Sequence, residues 1–140
     1  MEKAILLLSG GSSLEILDDL KATDWSAHVT VGVLDERFSA DPKINNFLQL
    51  SATEFFKEIE NIGADHIDTV PHIEESLGDF ANRFEKSLRV WRESNPEGKV
   101  IITQGIGVDG HTAGIMPYPE NPSLFQKLFD DKLLWVVGYD

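Results

Sequence analysis

The sequence predicts an α/β fold: a Rossmann-like, mostly parallel sheet flanked by helices, in one domain over residues 1–140. Short apolar runs of strand character alternate with stretches of helical periodicity. Three of the strand candidates end in clusters rich in Gly, Ser and charge: SGGSS after the first, DER after the second and GIGVDGH after the fourth. In open parallel sheets, ligands bind beyond the carboxyl ends of the strands, so these three clusters are expected along one edge.

The elements follow in order. Ala4–Leu8 is a continuous apolar run and reads as a buried strand, stopped by the glycines of SGGSS. Leu14, Leu17 and Leu20 then recur on one helical face, with Ser12 and Glu15 in a capping-box pattern. His28–Leu34 alternates Val29, Val31 and Val33 and reads as the second strand, running directly into Asp35-Glu36-Arg37. A loop with Asp41-Pro42 follows. Ser51 and Glu54 repeat the capping pattern before a short helix through Phe55 and Ile59 that ends at Gly63. Residues 66–70 are a candidate short strand. From Glu74 to about Glu93, Leu77, Phe80, Phe84, Leu88 and Trp91 mark a long amphipathic helix, stopped at Asn95-Pro96-Glu97-Gly98. Val100–Thr103 and Leu133–Val137 read as further strands.

Composition narrows the function. Twenty-four acidic residues against 12 basic ones give a net charge of −12, which argues against a nucleic-acid partner. A small anionic ligand would need a locally positive site, so single arginines and helix N-termini become the residues of interest. The absence of cysteine excludes disulfides and thiolate metal sites and suits a reducing, cytoplasmic setting. No apolar run approaches the ~20 residues of a membrane helix, and Ala4–Leu8 is shorter than the ~7–15 residues of a secretory core. There is no Walker loop and no GxGxxG. Neither HExxH nor an EF-hand pattern occurs, so no metal and no cofactor are expected.

Each cluster admits a functional and a plain reading. In Ser9-Gly10-Gly11-Ser12-Ser13, glycine permits close backbone approach and the free N–H groups suit an anion such as phosphate; the plain alternative is a tight turn with a serine cap. Arg37 could hold a phosphate bidentately, with Asp35 as a catalytic carboxylate or as the group that orients it; the alternative is a solvated charge cluster. Asp109-Gly110-His111 offers a histidine that titrates near neutrality beside a carboxylate that could fix its tautomer. Gly110 permits the turn, and contact could be direct or through water. The alternative is a histidine that only caps a loop, but its setting among glycines on the ligand edge favours catalysis. His28, His66 and His72 lack such a setting and read as structural.

Taken together, SGGSSL (Ser9–Leu14), DER (Asp35–Arg37) and GIGVDGHTAGIMP (Gly105–Pro117) resemble the 6-phosphogluconolactonase family, which is similar in fold to the glucosamine-6-phosphate isomerases and deaminases. Order and spacing agree over nearly the whole chain. Deaminases show DGHIAFNEP, with a glutamate five residues after the histidine; here Met116 stands there and Thr112 replaces Ile, which favours the lactonase branch. The resemblance implies hydrolysis of 6-phosphoglucono-1,5-lactone to 6-phosphogluconate, in the pentose phosphate pathway. It implies His111 as the base that activates water and Asp109 as the residue that orients it. Ser9, Gly10, Gly11, Ser12, Asp35 and Arg37 would hold the sugar phosphate, together with Gly105, Gly107, Gly110 and Thr112. The Gly105–Gly107 backbone is a candidate for the oxyanion. The alternatives are an amino-sugar phosphate deaminase and a sugar-phosphate-binding domain without turnover.

Departures from the family pattern set further expectations. The family chain is longer at both ends, and Ser13-Leu14 replaces Thr-Pro in the first loop. The asparagine that follows DER in the family is matched loosely by Asn45 or Asn46. A sheet lacking a strand leaves an edge or an apolar face open. The chain is therefore expected either to form a homodimer or to be a portion of a longer protein.

Overall fold

A computed structural model describes residues 2–25 and 27–140. Four parallel strands form one sheet in the order β3-β2-β1-β4. β1 (Ala4–Leu8) and β2 (Val29–Val33) lie at its centre, Leu6 beside Val31 and Leu8 beside Val33. All five residues of β2 and the last four of β1 are buried, so both faces of these strands are covered. Strands covered on both faces read as continuous apolar runs, as AILLL does. β3 is the pair Asp65–His66, and β4 (Lys99–Ile102) forms the opposite edge.

Helices connect the strands. α1 (Asn46–Ser51) and α2 (Glu54–Asn61) bury Phe47, Leu50, Phe55, Phe56 and Ile59. α3 (Leu77–Ser94) buries Phe80, Ala81 and Phe84, and its Trp91 Nε1 donates to Thr30 Oγ1 at 3.1 Å. α3 therefore lies on the sheet face that carries Thr30. α4 (Pro122–Phe129) follows the glycine-rich segment.

The structure corrects several sequence readings, each for a physical reason. The first helix is a 3-10 helix, Gly11–Asp18, followed by a second short one at Ala22–Asp24. Leu14, Leu17 and Leu20 are spaced by three, which is the 3-10 period itself. Its cap is Gly10, so Ser12 lies inside the first turn and the Ser12–Glu15 box does not form. Ser51 does not cap α2 either. It closes α1, donating to Leu48 O at 2.9 Å, and Thr53 caps α2 by accepting from Phe56 N at 3.2 Å. α3 starts at Leu77 under a Ser76 cap, because Glu74 has φ +64 and cannot join a helix.

The strand read at 66–70 is cut to Asp65–His66. Beyond Ile67, Thr69 leaves the ladder and is fully buried against polar groups of the β2 loop. Leu133–Val137 is not a strand. The Glu85 carboxylate accepts from Trp135 N at 3.0 Å and Val136 N at 3.1 Å, and the Arg89 guanidinium stacks on the Trp135 ring at 4.5 Å. Side chains of α3 thus take the backbone groups that a neighbouring strand would need, and β propensity alone does not decide.

Candidate functional site

The loops after β1, β2 and β4 meet at the carboxyl end of the sheet around a cleft of about 510 Å³. β1 lies between β2 and β4, so the cleft opens where the strand order reverses. Ser9, Gly10, Gly11 and Ser12 form one wall, Asp35 and Arg37 a second, and Gly105, Gly107 and His111 a third. Asp109, Gly110 and Thr112 are not on that lining, and Asp109 meets it through His111.

Ser9 ties two of the loops together. Its N–H donates to Thr103 Oγ1 at 3.0 Å, its hydroxyl donates to Thr103 O at 2.9 Å, and the same oxygen accepts from Gly105 N at 3.2 Å. Ser9 is buried, and its role here is to hold the β1 and β4 loops in register. Gly10 is required by close approach: a Cβ there would stand 2.1 Å from Asn46 Oδ1. The 3-10 helix that starts next has no side-chain cap on its first N–H groups.

The DER segment divides its labour. Glu36 turns inward, where its carboxylate accepts from Asn46 N (2.6 Å), Phe47 N (2.9 Å) and Thr69 Oγ1 (2.7 Å). It thus caps α1 and fixes the loop. Burial raises its carboxyl above the ordinary range, against these hydrogen bonds, which pull it down. Asp35 faces the cleft. Burial raises its carboxyl too, opposed by the nearby charges of Arg37 and His111. Arg37 is exposed in the cleft. Asn45, fully buried, donates to Thr69 O at 3.0 Å and caps α1 by accepting from Leu48 N at 2.8 Å.

The third wall carries the sharpest chemistry. His111 Nδ1 and Asp109 Oδ1 are 2.5 Å apart, and the same oxygen accepts from His111 N at 3.2 Å. The contact is direct. The bond to His111 holds the Asp109 carboxyl below its usual range. Gly107 N donates to His111 O at 2.8 Å and Gly110 N to Gly107 O at 3.0 Å, with Gly110 at φ +88. Thr112 Oγ1 donates to Gly105 O at 2.8 Å and accepts from Gln104 Nε2 at 2.9 Å, which locks the loop. Ala113 and Gly114, both at positive φ, turn a tight hairpin between Thr112 and Ile115. Gly114 packs on Asp35, and its carbonyl accepts from the Tyr139 hydroxyl. Burial, with Tyr118 nearby, raises that hydroxyl above its ordinary range.

Ser13, part of the glycine-serine stretch, also lines the cleft, while Lys43, Gln49 and Ala113 escaped the sequence reading. Asn46, matched only loosely from sequence, also lines the cleft, and its Nδ2 donates to Asp35 O at 2.9 Å. The usable signal was Asn45-Asn46 before Phe47 and Leu50, a helix cap that brings Lys43 and Gln49 to the site. Among the described residues no group of three or more His, Cys, Asp or Glu could hold a metal ion.

Comparison with known proteins places the fold and the family. The chain is 30% identical over 124 residues to a probable 6-phosphogluconolactonase of Dictyostelium discoideum, covering 85% of this chain and 52% of that protein. It thus spans about half the length of that curated relative. The structure of 6-phosphogluconolactonase from Plasmodium vivax superposes with a TM-score of 0.64 at 16% identity, over 83% of this chain and 40% of that one, so the fold is shared. The family described as glucosamine-6-phosphate isomerases/6-phosphogluconolactonase matches residues 1–139, and the chain belongs to that family.

Proposed function

We propose that this site hydrolyses 6-phosphoglucono-1,5-lactone to 6-phosphogluconate with water activated by His111. The observation that carries the reading is the direct Asp109–His111 pair on the rim of a cleft that also presents Arg37. With Nδ1 bonded to Asp109, Nε2 is the basic nitrogen. It takes a proton as water adds to the lactone carbonyl, and Asp109 steadies the imidazolium that forms. The tetrahedral intermediate then collapses, the bond from C1 to the ring oxygen breaks, and the imidazolium returns the proton to that oxygen. A lactone is an activated ester, so neither a covalent nucleophile nor a cofactor is needed.

Arg37 and the uncapped N–H groups at Gly10–Ser12 hold the phosphate, which places the carbonyl at His111. Asp35 accepts from sugar hydroxyls. The N–H groups of Gly105 and Gly107 are engaged by Ser9 and by the His111 carbonyl. Ile106 N–H, between them on the lining, is the donor left for the oxyanion.

A second reading is binding of the sugar phosphate without turnover, for which Arg37 and the uncapped N–H groups at Gly10–Ser12 suffice. The exposed β4 edge further supports pairing with a second copy. The test of function presents 6-phosphogluconolactone and glucosamine-6-phosphate to the chain in parallel. Acid release from the lactone without ammonia from the amino sugar supports the lactonase. Ammonia release would move it to the deaminase branch, and 6-phosphogluconate binding without turnover would leave the binding domain.

A further inference from the structure

The turn before α1 brings a second cation to the cleft. Lys43 lines it together with Arg37, and Asp35 is the only carboxylate on that lining among the described residues. Lys43 forms no ion pair with a described carboxylate, and Arg37 acts on Asp35 only through space, although acids outnumber bases two to one in this chain. By contrast, Lys57 and Lys99, out on the surface, each pair with a glutamate.

The placement of Lys43 is built rather than loose. Asp41 Oδ1 accepts from Lys43 N at 2.8 Å, and Asp41 O accepts from Ile44 N at 2.9 Å and Asn45 N at 2.8 Å. Gln49 Nε2 donates to Lys43 O at 3.0 Å. The wholly buried Asn45 reaches Arg37 O at 3.5 Å while it caps α1. The backbones that carry the two cations are therefore joined into one unit, and only the end of the lysine stem is free to follow a ligand.

A phosphate ester has a second pKa of about 6 and is largely a dianion at neutral pH. One guanidinium satisfies one edge of it, and an ammonium on a flexible stem supplies the second charge without needing a fixed plane. We propose that Lys43 is the second phosphate-binding cation of this cleft and makes it selective for a phosphate dianion over an uncharged or monoanionic sugar. The assignment rests on the sugar-phosphate reading of the cleft and deepens it by naming the residue that sets ligand charge.

The test is calorimetric binding of 6-phosphogluconate and of gluconate at pH 7.5 and pH 5.0. It uses the unaltered chain, Lys43→Gln, Lys43→Arg and a control away from the cleft, Lys132→Gln. The unaltered chain should prefer 6-phosphogluconate, and more strongly at pH 7.5. Lys43→Gln should weaken 6-phosphogluconate by about tenfold or more, the worth of a charge-assisted hydrogen bond, and flatten the pH dependence. Gluconate binding should not move. Lys43→Arg should restore most of the preference, and Lys132→Gln should match the unaltered chain. If Lys43→Gln retains the full preference and its pH dependence, the assignment of Lys43 is overturned while the sugar-phosphate reading stands. If the unaltered chain does not distinguish 6-phosphogluconate from gluconate, both are overturned.

Discussion

Gly107 shows how a single residue sets the chemistry of this cleft. A Cβ at that position would stand 2.2 Å from His111 Cε1, 2.3 Å from Nδ1 and 2.8 Å from Asp109 Oδ1. Its φ is not in the left-handed region, so alanine is acceptable to the backbone and the penalty falls on the imidazole. Gly107→Ala is therefore expected to displace the ring from Asp109. Turnover should fall by about 100-fold or more, the scale of lost general-base catalysis, with little change in thermal stability of this exposed loop. Unchanged turnover would show that the ring is not held as described. Asp109 and His111 were legible as candidates because they lie within three residues, but their direct contact was not, because glycine between them leaves many geometries open. Lys43 and Gln49 were not, because they reach the cleft through α1, whose cap was hidden inside an apparent loop. The role of Ser9 was hidden for a related reason: its partners, Thr103 and Gly105, are more than ninety residues away.

At the scale of elements, the β2 loop is held from behind by α3. Arg83 pairs with Glu75 through Nε (2.8 Å) and Nη2 (3.0 Å), and donates to Asp68 O and Val70 O. It thereby clamps the segment whose Thr69 supports Glu36. The hydrogen bond from Arg83 holds the Glu75 carboxyl down to about 2, from an ordinary 4.5. A carboxyl lowered in the folded state stabilises it above the unfolded pKa, and that gain fades as pH falls toward the folded value. Glu75→Gln should lower the unfolding free energy by about 1–3 kcal/mol at pH 7, between the values of exposed and buried pairs. Urea unfolding at pH 7, 4.5 and 2.5 should show the gap between the two proteins closing below pH 4.5; a gap constant over that range would contradict the assignment. α3 was readable because its apolar stripe is long and regular. The 3-10 helix was not, because a spacing of three also occurs on an α-helix. LLWVV misled because strand propensity says nothing about competing partners: Glu85 and Arg89 of α3 take its backbone groups.

For the whole molecule, the alternation of strands and helices was enough to read a parallel α/β sheet with its ligand edge at the strand ends. The exposure of one edge follows from the strand order. Val100, Ile101 and Ile102 of β4 are 50%, 38% and 47% exposed, a long apolar stretch for a free edge. Multi-angle light scattering should therefore report a mass above the monomer, returning to the monomer in Ile101→Lys, which sets a charge on that edge. A monomer of the unaltered chain at high concentration would contradict this pairing.

The central claim is that the Asp109–His111 pair activates water against a sugar-phosphate lactone. Its most direct test is the hydrolysis rate of freshly prepared 6-phosphogluconolactone with the unaltered chain, with His111→Ala and with buffer alone. The expected result is acceleration by the unaltered chain that vanishes in His111→Ala, while 6-phosphogluconate binding persists in both. Equal rates in all three, or undiminished acceleration in His111→Ala, would contradict it.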